Sequence, residues 1–385
     1  MIPIENVRYI VFPGGAARAV ALSTAFDALI AHATLASTTN IQQRDNNNGT
    51  IHGDNYINSA EKEPISSKAD STTLDAHEWM QQLQGSGGTS IGAVLALGIL
   101  FGYKKWCRIR DRMIQYDTWR SRQILQTIDL SNCDTNLSIC SDESLRKMID
   151  QVFVEDLEIS TLITFKDLNK LIDGKRYVCN ASCHEDHSIL YMSVDTTPDL
   201  SVHQALRMSM ALPCIFPAVT YCGKLYVDGG LLNNFILDQF SAEHTIGFTL
   251  IGSRRQQMTI NFDATTTYDR SNTGSIATEG QWRHSFLSFI MSLIFSTIMI
   301  PDMVNFKKLK KTHATCIIPV FTPGVGPLAF PITPNMIQRL QDYGTSSVQY
   351  HVYRNLIFSI MGISVLYCTN HHYQKQTKAT TTSET

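Results

Sequence analysis

Apolar runs and polar interruptions alternate along this chain in a strand–helix rhythm. Arg8-Tyr9-Ile10-Val11-Phe12 is short, apolar and β-branched, and predicts a buried strand. It ends in Pro13-Gly14-Gly15-Ala16-Ala17-Arg18-Ala19, and a helix is expected from about Ala17 to Leu35. From Ser37 to Thr73 the chain turns polar, first rich in Asn, Gln, Asp and Gly, then in Ser, Lys and Glu. With so little to bury, the insert 37–73 is expected to be a surface loop or disordered spacer. Trp79-Met80-Gln81-Gln82-Leu83 predicts a second short strand, feeding Gly85-Ser86-Gly87-Gly88-Thr89-Ser90-Ile91-Gly92-Ala93. Ala93 to Phe101 is almost wholly apolar and stops at Gly102, which predicts a buried helix.

Further helices are expected over 104–126, 141–153 and 201–210, with a short one or a turn at 164–171. Strands are expected over 176–181, 189–194, 224–227, 246–252 and 316–321. Strands alternating with helices argue for an α/β fold with a mainly parallel sheet. Asn335 to Tyr343 reads as an amphipathic helix. Phe286 to Ile300 and Leu356 to Cys368 are apolar but shorter than the roughly 20 residues of a membrane span. Lys307, Lys308, Lys310 and Lys311 follow the first of them. That pairing reads either as an interfacial anchor drawn to anionic lipid or as a packed helix with a solvated charge run. The expected organisation is one domain over 1–350, then an apolar segment and polar tail over 351–385.

Composition narrows the classes. The 385 residues suffice for one large α/β domain or two smaller ones. Charged residues make up 17%, below the usual quarter, and the net charge of −2 gives no field for nucleic acid. Low charge density with 43% hydrophobic residues is compatible with a protein that meets lipid. The nine cysteines form no C-x-x-C pair; Cys179 and Cys183, with His184 and His187 nearby, have no second half, so no metal site is expected. The odd count of unpatterned thiols suits a reducing compartment, and the N-terminus has no basic segment before a long apolar run. A cytoplasmic protein without a signal peptide, peripheral at membranes, is therefore expected.

The candidate chemistry sits at two glycine turns. Gly88-Thr89-Ser90-Ile91-Gly92 is G-x-S-x-G ahead of a buried helix, the context in which a serine is thrust out of a sharp turn as a nucleophile. Gly88 and Gly92 take positions where side chains would clash. The helix N-terminus behind Ser90 favours a developing negative charge. Gly14-Gly15-Ala16 lacks the Lys of a phosphate loop and the spacing of a dinucleotide fingerprint, so an oxyanion hole fits it better. Arg18 either steadies that loop, meets an anionic head group or is a solvated helix residue. Asp228-Gly229-Gly230 closes the strand at 224–227; read alone it is an ordinary turn.

Glycine loop, G-x-S-x-G and D-G-G in this order resemble the patatin-like phospholipase family. Thr164-Phe165-Lys166-Asp167-Leu168, Ala205 to Pro213 with Phe216-Pro217, and Tyr226 to Asn234 resemble it too. The resemblance spans about Arg8 to Ile251 and more faintly reaches Gln349. It implies a three-layer sandwich with a mainly parallel central sheet, a nucleophile elbow and a glycine-rich oxyanion loop. It also implies a lipid acyl hydrolase of phospholipase A type that needs no cofactor. Ser90 would be the nucleophile, Asp228 its base, and the backbone of Gly14, Gly15 and Ala16 the oxyanion hole, with Arg18, Gly88, Gly92, Gly229 and Gly230 supporting. Membrane lipid or a lipid aggregate would be the substrate, and the need for an activator protein stays open. The sequence departs from the family's G-G-G-x-[RK]-G at Ala16 and Ala19; if position 16 needs φ > 0, alanine there is strained by roughly 1 kcal/mol or more. Two rivals stay open: a Ser-His-Asp esterase using His244, His284 or His313, and a lipid-binding protein on the same fold without catalysis.

Overall fold

The computed structural model describes residues 3–48, 76–126, 138, 140–251, 317–325 and 333–360. β1 (Tyr9–Phe12) leads through a single 3-10 turn into α1 (Ala19–Asn48). β2 (Gly85–Gly88) precedes α2 (Ile91–Leu100) and α3 (Tyr103–Gln126). After α4 (Asp142–Gln151) and α5 (Phe165–Leu171) come β3 (Arg176–Cys183), β4 (Ile189–Met192) and α6 (Val202–Met210). The hairpin β5 (Val219–Tyr221) and β6 (Lys224–Asp228) is followed by β7 (Thr245–Ile251), β8 (Ile317–Phe321) and α7 (Pro334–Ile360).

The strands form one sheet in the order β5-β6-β3-β2-β1-β7-β8, with β4 also paired to β3. β3, β2, β1, β7 and β8 run parallel, and β4, β6 and β5 add antiparallel pairings beyond β3. The mainly parallel sheet read from the strand–helix alternation is therefore present. Alternate residues divide its two faces. Phe12 and Phe248 stack at 5.3 Å between ring centroids and meet Phe26 of α1 and Trp106 of α3 on the helix-covered face. The opposite face carries Tyr9, Gly87 and Gly247, met by Phe240, Phe235 and Leu237.

Three elements differ from their sequence reading. Residues 76–81 are helical, and the glycines themselves form the strand. Ala76, Trp79, Met80 and Leu83 are all buried, the i, i+3, i+4, i+7 spacing of a helix face, and Trp79 Nε1 donates to the Ile4 carbonyl at 3.3 Å. β2 has glycine where its neighbours leave no room: a methyl on Gly87 would stand 2.6 Å from the Phe240 ring. α1 continues to Asn48, through the start of the segment expected to be loop. Asn and Gln carry only a modest helix penalty, no proline or glycine intervenes, and Gly49 follows.

The third difference is α7, one continuous helix where an amphipathic helix and a separate apolar run were expected. Gly344 does not break it. A side chain there would run into Thr24 Oγ1 and the Ala21 carbonyl, and would stand 2.9 Å from the Ala25 nitrogen, so α7 crosses α1 at closest approach on this glycine. Gly344→Ala is accordingly expected to cost about 1–3 kcal/mol through overpacking, read as a lowered melting temperature with the far-UV spectrum kept. Among the described residues no helix is long and apolar enough to cross a membrane. Phe286 to Ile300, the Lys307, Lys308, Lys310 and Lys311 cluster, and Leu356 to Cys368 beyond Ile360 lie outside the described residues, as does 49–75 of the polar insert.

Candidate functional site

β2 stops at Gly88, paired with Cys179, while its neighbour β3 runs four residues further to Cys183. Ser90 takes the vacated level above β2. It is the N-cap of α2, with φ 54° and ψ −130°. A positive φ in a non-glycine residue is a strained conformation held by its surroundings, and it turns the side chain out of the sheet. The turn needs its flanking glycines. A side chain on Gly88 would collide with the Gly92 carbonyl, and one on Gly92 with the carbonyl of Pro13.

Register brings the carboxylate to the same height. Asp228, the last residue of β6, pairs with Ala181 of β3, two residues beyond the partner of Gly88. Its backbone is held by Asp228 N–H donating to the Ala211 carbonyl (2.9 Å) and by Ser182 Oγ donating to the Asp228 carbonyl (3.0 Å). Ser90 Oγ donates to Asp228 Oδ2 at 2.7 Å, and the Gly230 amide donates to Oδ1 at 2.8 Å. Asp228 is 5% exposed; burial pushes its carboxyl up to about 6, against the lowering effect of those two hydrogen bonds.

The glycine loop lies beside this pair. A methyl on Gly14 would stand 3.2 Å from Ser90 Cβ. The Gly14 amide donates to the Asn234 carbonyl at 3.3 Å, whereas the amides of Gly15 and Ala16 meet no backbone acceptor among the described residues. Of the three expected oxyanion-hole positions, Gly14 is thus the one whose amide has a backbone acceptor among the described residues. Ala16 has φ 45°, so the departure from glycine at this position is a strained one. Arg18 is buried at 4% exposed, which excludes the solvated alternative of its reading, and its backbone amide donates to the Gly15 carbonyl at 3.0 Å. Gly229 and Gly230 open the turn after Asp228 and are both buried.

Other side chains brace the elbow, and the sequence reading assigned them no role. Ser90 N–H donates to Ser209 Oγ of α6 at 2.9 Å. Thr89 Oγ1 donates to Asn180 Oδ1 at 2.8 Å, and Asn180 Nδ2 donates to the Asn233 carbonyl at 2.8 Å. Asn234 Nδ2 donates to the Gly14 carbonyl at 3.2 Å. Buried polar groups within a strand or a helix, such as Asn180 and Ser209, are the signal that marks these positions, since such groups are kept only where they find partners.

Among the described residues, His244 stands elsewhere. His244 precedes β7 at the end where β1 begins, since Thr245 pairs with Tyr9, and its Nδ1 lies 3.1 Å from the Asn6 carbonyl. Ser90 and Asp228 lie at the other end of the parallel strands, so His244 cannot complete a triad with them. His284 and His313 fall outside the described residues. Cys179 and Cys183 are buried along β3, and burial pushes the Cys179 thiol up to about 12.

Residues 68–241 match the family described as patatin-like phospholipase. A "probable lipid hydrolase 463L" of Invertebrate iridescent virus 6 is 30% identical over 161 residues, covering 39% of this chain and 51% of that protein. The chain thus spans about half the length of that relative. Among solved structures, VipD of Legionella pneumophila is similar at a TM-score of 0.44 and 14% identity, over 90% of this chain and 66% of that one. ExoU of Pseudomonas aeruginosa, solved in complex with SpcU, is similar at a TM-score of 0.34 and 12% identity, over 89% of this chain and 52% of that one.

Proposed function

We propose that this chain, whose residues 68–241 match the family described as patatin-like phospholipase, is a lipid acyl hydrolase of phospholipase A type working through a Ser90–Asp228 dyad. The observation that carries the proposal is the 2.7 Å hydrogen bond from the Ser90 hydroxyl to a buried carboxylate, at the open end of a central parallel strand.

Ser90 Oγ attacks the acyl carbonyl carbon and passes its proton to Asp228 Oδ2. The carbonyl oxygen becomes an oxyanion, received by the amides of Gly15 and Ala16 with the N-terminus of α2 behind them. Collapse of the tetrahedral intermediate breaks the ester bond, and the departing alcohol takes the proton from Asp228. Water then attacks the acyl-enzyme, again giving its proton to Asp228, and the fatty acid leaves as Ser90 recovers its hydrogen. A carboxylate is a weak base, and partial desolvation brings its basicity closer to the task.

This assignment has a pH signature. Asp228 works as a base only when ionised, and burial places its midpoint at about 6. The value of kcat/KM is expected to rise with pH through a midpoint near 6 and to fall about tenfold per unit below it, as a pH series on a soluble ester would record.

The family match over residues 68–241 and the viral relative named a lipid hydrolase support lipid as the substrate class. A lipid aggregate as substrate requires peripheral contact with its surface, for which Lys307, Lys308, Lys310 and Lys311 are the proposed contacts. The deciding test is fatty-acid release from phosphatidylcholine vesicles together with fluorophosphonate labelling and peptide mapping. Release, with the label on Ser90, supports the reading. A label on another residue, or release that continues after Ser90 is labelled, removes it.

A further inference from the structure

The glycine loop and the aspartate turn lie in opposite halves of the chain, yet one side chain touches both. Asn234 follows Asp228 by six residues and reaches Gly14, 220 positions away. Its Nδ2 donates to the Gly14 carbonyl at 3.2 Å, and its own backbone carbonyl accepts from the Gly14 amide at 3.3 Å. Residue 14 is thereby held through both of its backbone groups by a single partner.

The same side chain explains two glycines. A methyl on Gly14 would overlap Asn234 Oδ1, and one on Gly230 would stand 2.9 Å from Asn234 Oδ1 and 3.0 Å from Asp228 Oδ1. Neither glycine has a positive φ, so crowding rather than backbone conformation excludes a side chain at both. Gly230 is also the residue whose amide holds Asp228 Oδ1 at 2.8 Å. The Asn234 amide therefore sits between the backbone that positions the loop beside Ser90 and the backbone that positions the carboxylate.

We propose that Asn234 is a positioning residue that locks the Gly14–Ala16 loop in register with the Ser90–Asp228 pair. The proposal rests on the hydrolase reading, in which loop amides and carboxylate must act on one acyl carbon. An asparagine suits the place for two reasons. Its N–H₂ supplies the donor that the Gly14 carbonyl needs, which a carboxylate or an alkyl group lacks. It is also uncharged: the two oxygens, Asn234 Oδ1 and Asp228 Oδ1, flank one point at 2.9 and 3.0 Å, so they are less than about 6 Å apart. A second negative charge at that range disfavours ionisation of the first and repels the oxyanion.

The test measures kcat and KM on a soluble short-chain ester across pH, with melting temperatures, for wild type, Ser90→Ala, Asn234→Ala and Asn234→Asp. Asn234→Ala is expected to lower kcat roughly 10- to 100-fold, as misplacement near 1 Å does, with KM changed less than about threefold. Asn234→Asp keeps the shape, and should show the same loss while moving the acid limb of the pH profile upward by about one unit from its position near 6. Wild-type turnover that Ser90→Ala abolishes, with kcat of Asn234→Ala within about threefold of wild type, overturns the proposal and leaves the hydrolase reading standing. So does an Asn234→Asp profile with an unmoved midpoint, and that variant alone decides the matter if the alanine variant does not fold. Absence of turnover in wild type, or turnover that survives Ser90→Ala, removes the hydrolase reading and this proposal with it.

Discussion

Ser90→Ala and Asp228→Asn are each expected to lower ester hydrolysis by on the order of 10³- to 10⁵-fold, and the double variant little further. The two groups share one proton across 2.7 Å, so removing either disables the same step. Alanine removes the attacking oxygen. Asparagine keeps the shape and can still accept from the Gly230 amide, yet it takes up no proton at neutral pH. His244→Ala is the matched control and should stay within about twofold of wild type, because that ring faces Asn6 at the far end of the strands. Initial rates on one soluble ester at fixed pH measure all four variants. Equal losses in the histidine variant would point to a triad instead, and full activity in Asp228→Asn would leave Ser90 needing a different base.

The second large effect is Gly88→Ala. The added methyl would strike the Gly92 carbonyl and stand 2.7 Å from the Ala93 nitrogen, all of it backbone and none of it able to swing aside. Overpacking against fixed backbone costs about 1–3 kcal/mol or more, equivalent to a fall in melting temperature of several degrees, about 2–4 °C per kcal/mol. Whatever fraction folds must shift α2 away from β2, and the serine with it. Fluorophosphonate labelling of the soluble fraction should slow by about 100-fold, the usual result of a misplacement near 1 Å. Gly223→Ala serves as contrast: nothing lies within 4 Å of the new methyl, and its φ of +75° leaves only the local strain of about 1 kcal/mol. A Gly88→Ala protein as stable and as reactive as the Gly223→Ala one would show that the elbow yields more easily than its packing implies.

Much of this site was legible in the chain because its signals are local. Ser90 and Asp228 are each announced by glycines within two residues, and the helix after Ser90 by an unbroken apolar run. What was not legible depends on distant neighbours. A strand spelled Gly-Ser-Gly-Gly has no side-chain pattern to read; it is a strand because β1, β3 and Phe240 enclose it. Gly344 reads as a helix breaker until Thr24 and Ala21 of α1 are seen against it. Asn234 sits in the Tyr226 to Asn234 stretch, but its partner is 220 residues away and no spacing rule connects them. The 76–81 helix is a different case: its i, i+3, i+4, i+7 pattern is local, and reading Trp79 to Leu83 alone leaves out Ala76, which begins it.

The burial of Asp228 has a consequence for the folded state as a whole. In the unfolded chain its carboxyl titrates near the ordinary aspartate value of 3.8, whereas in the fold it holds its proton up to about 6. Between those values the folded chain binds more protons than the unfolded one, so the stability it draws from this residue declines as pH rises through that window and stays lower above it. A shift of that size corresponds to about 3 kcal/mol at neutral pH, a sizeable share of what holds a domain together. Where the proposed base is ionised, this one buried carboxylate therefore subtracts from the stability of the chain.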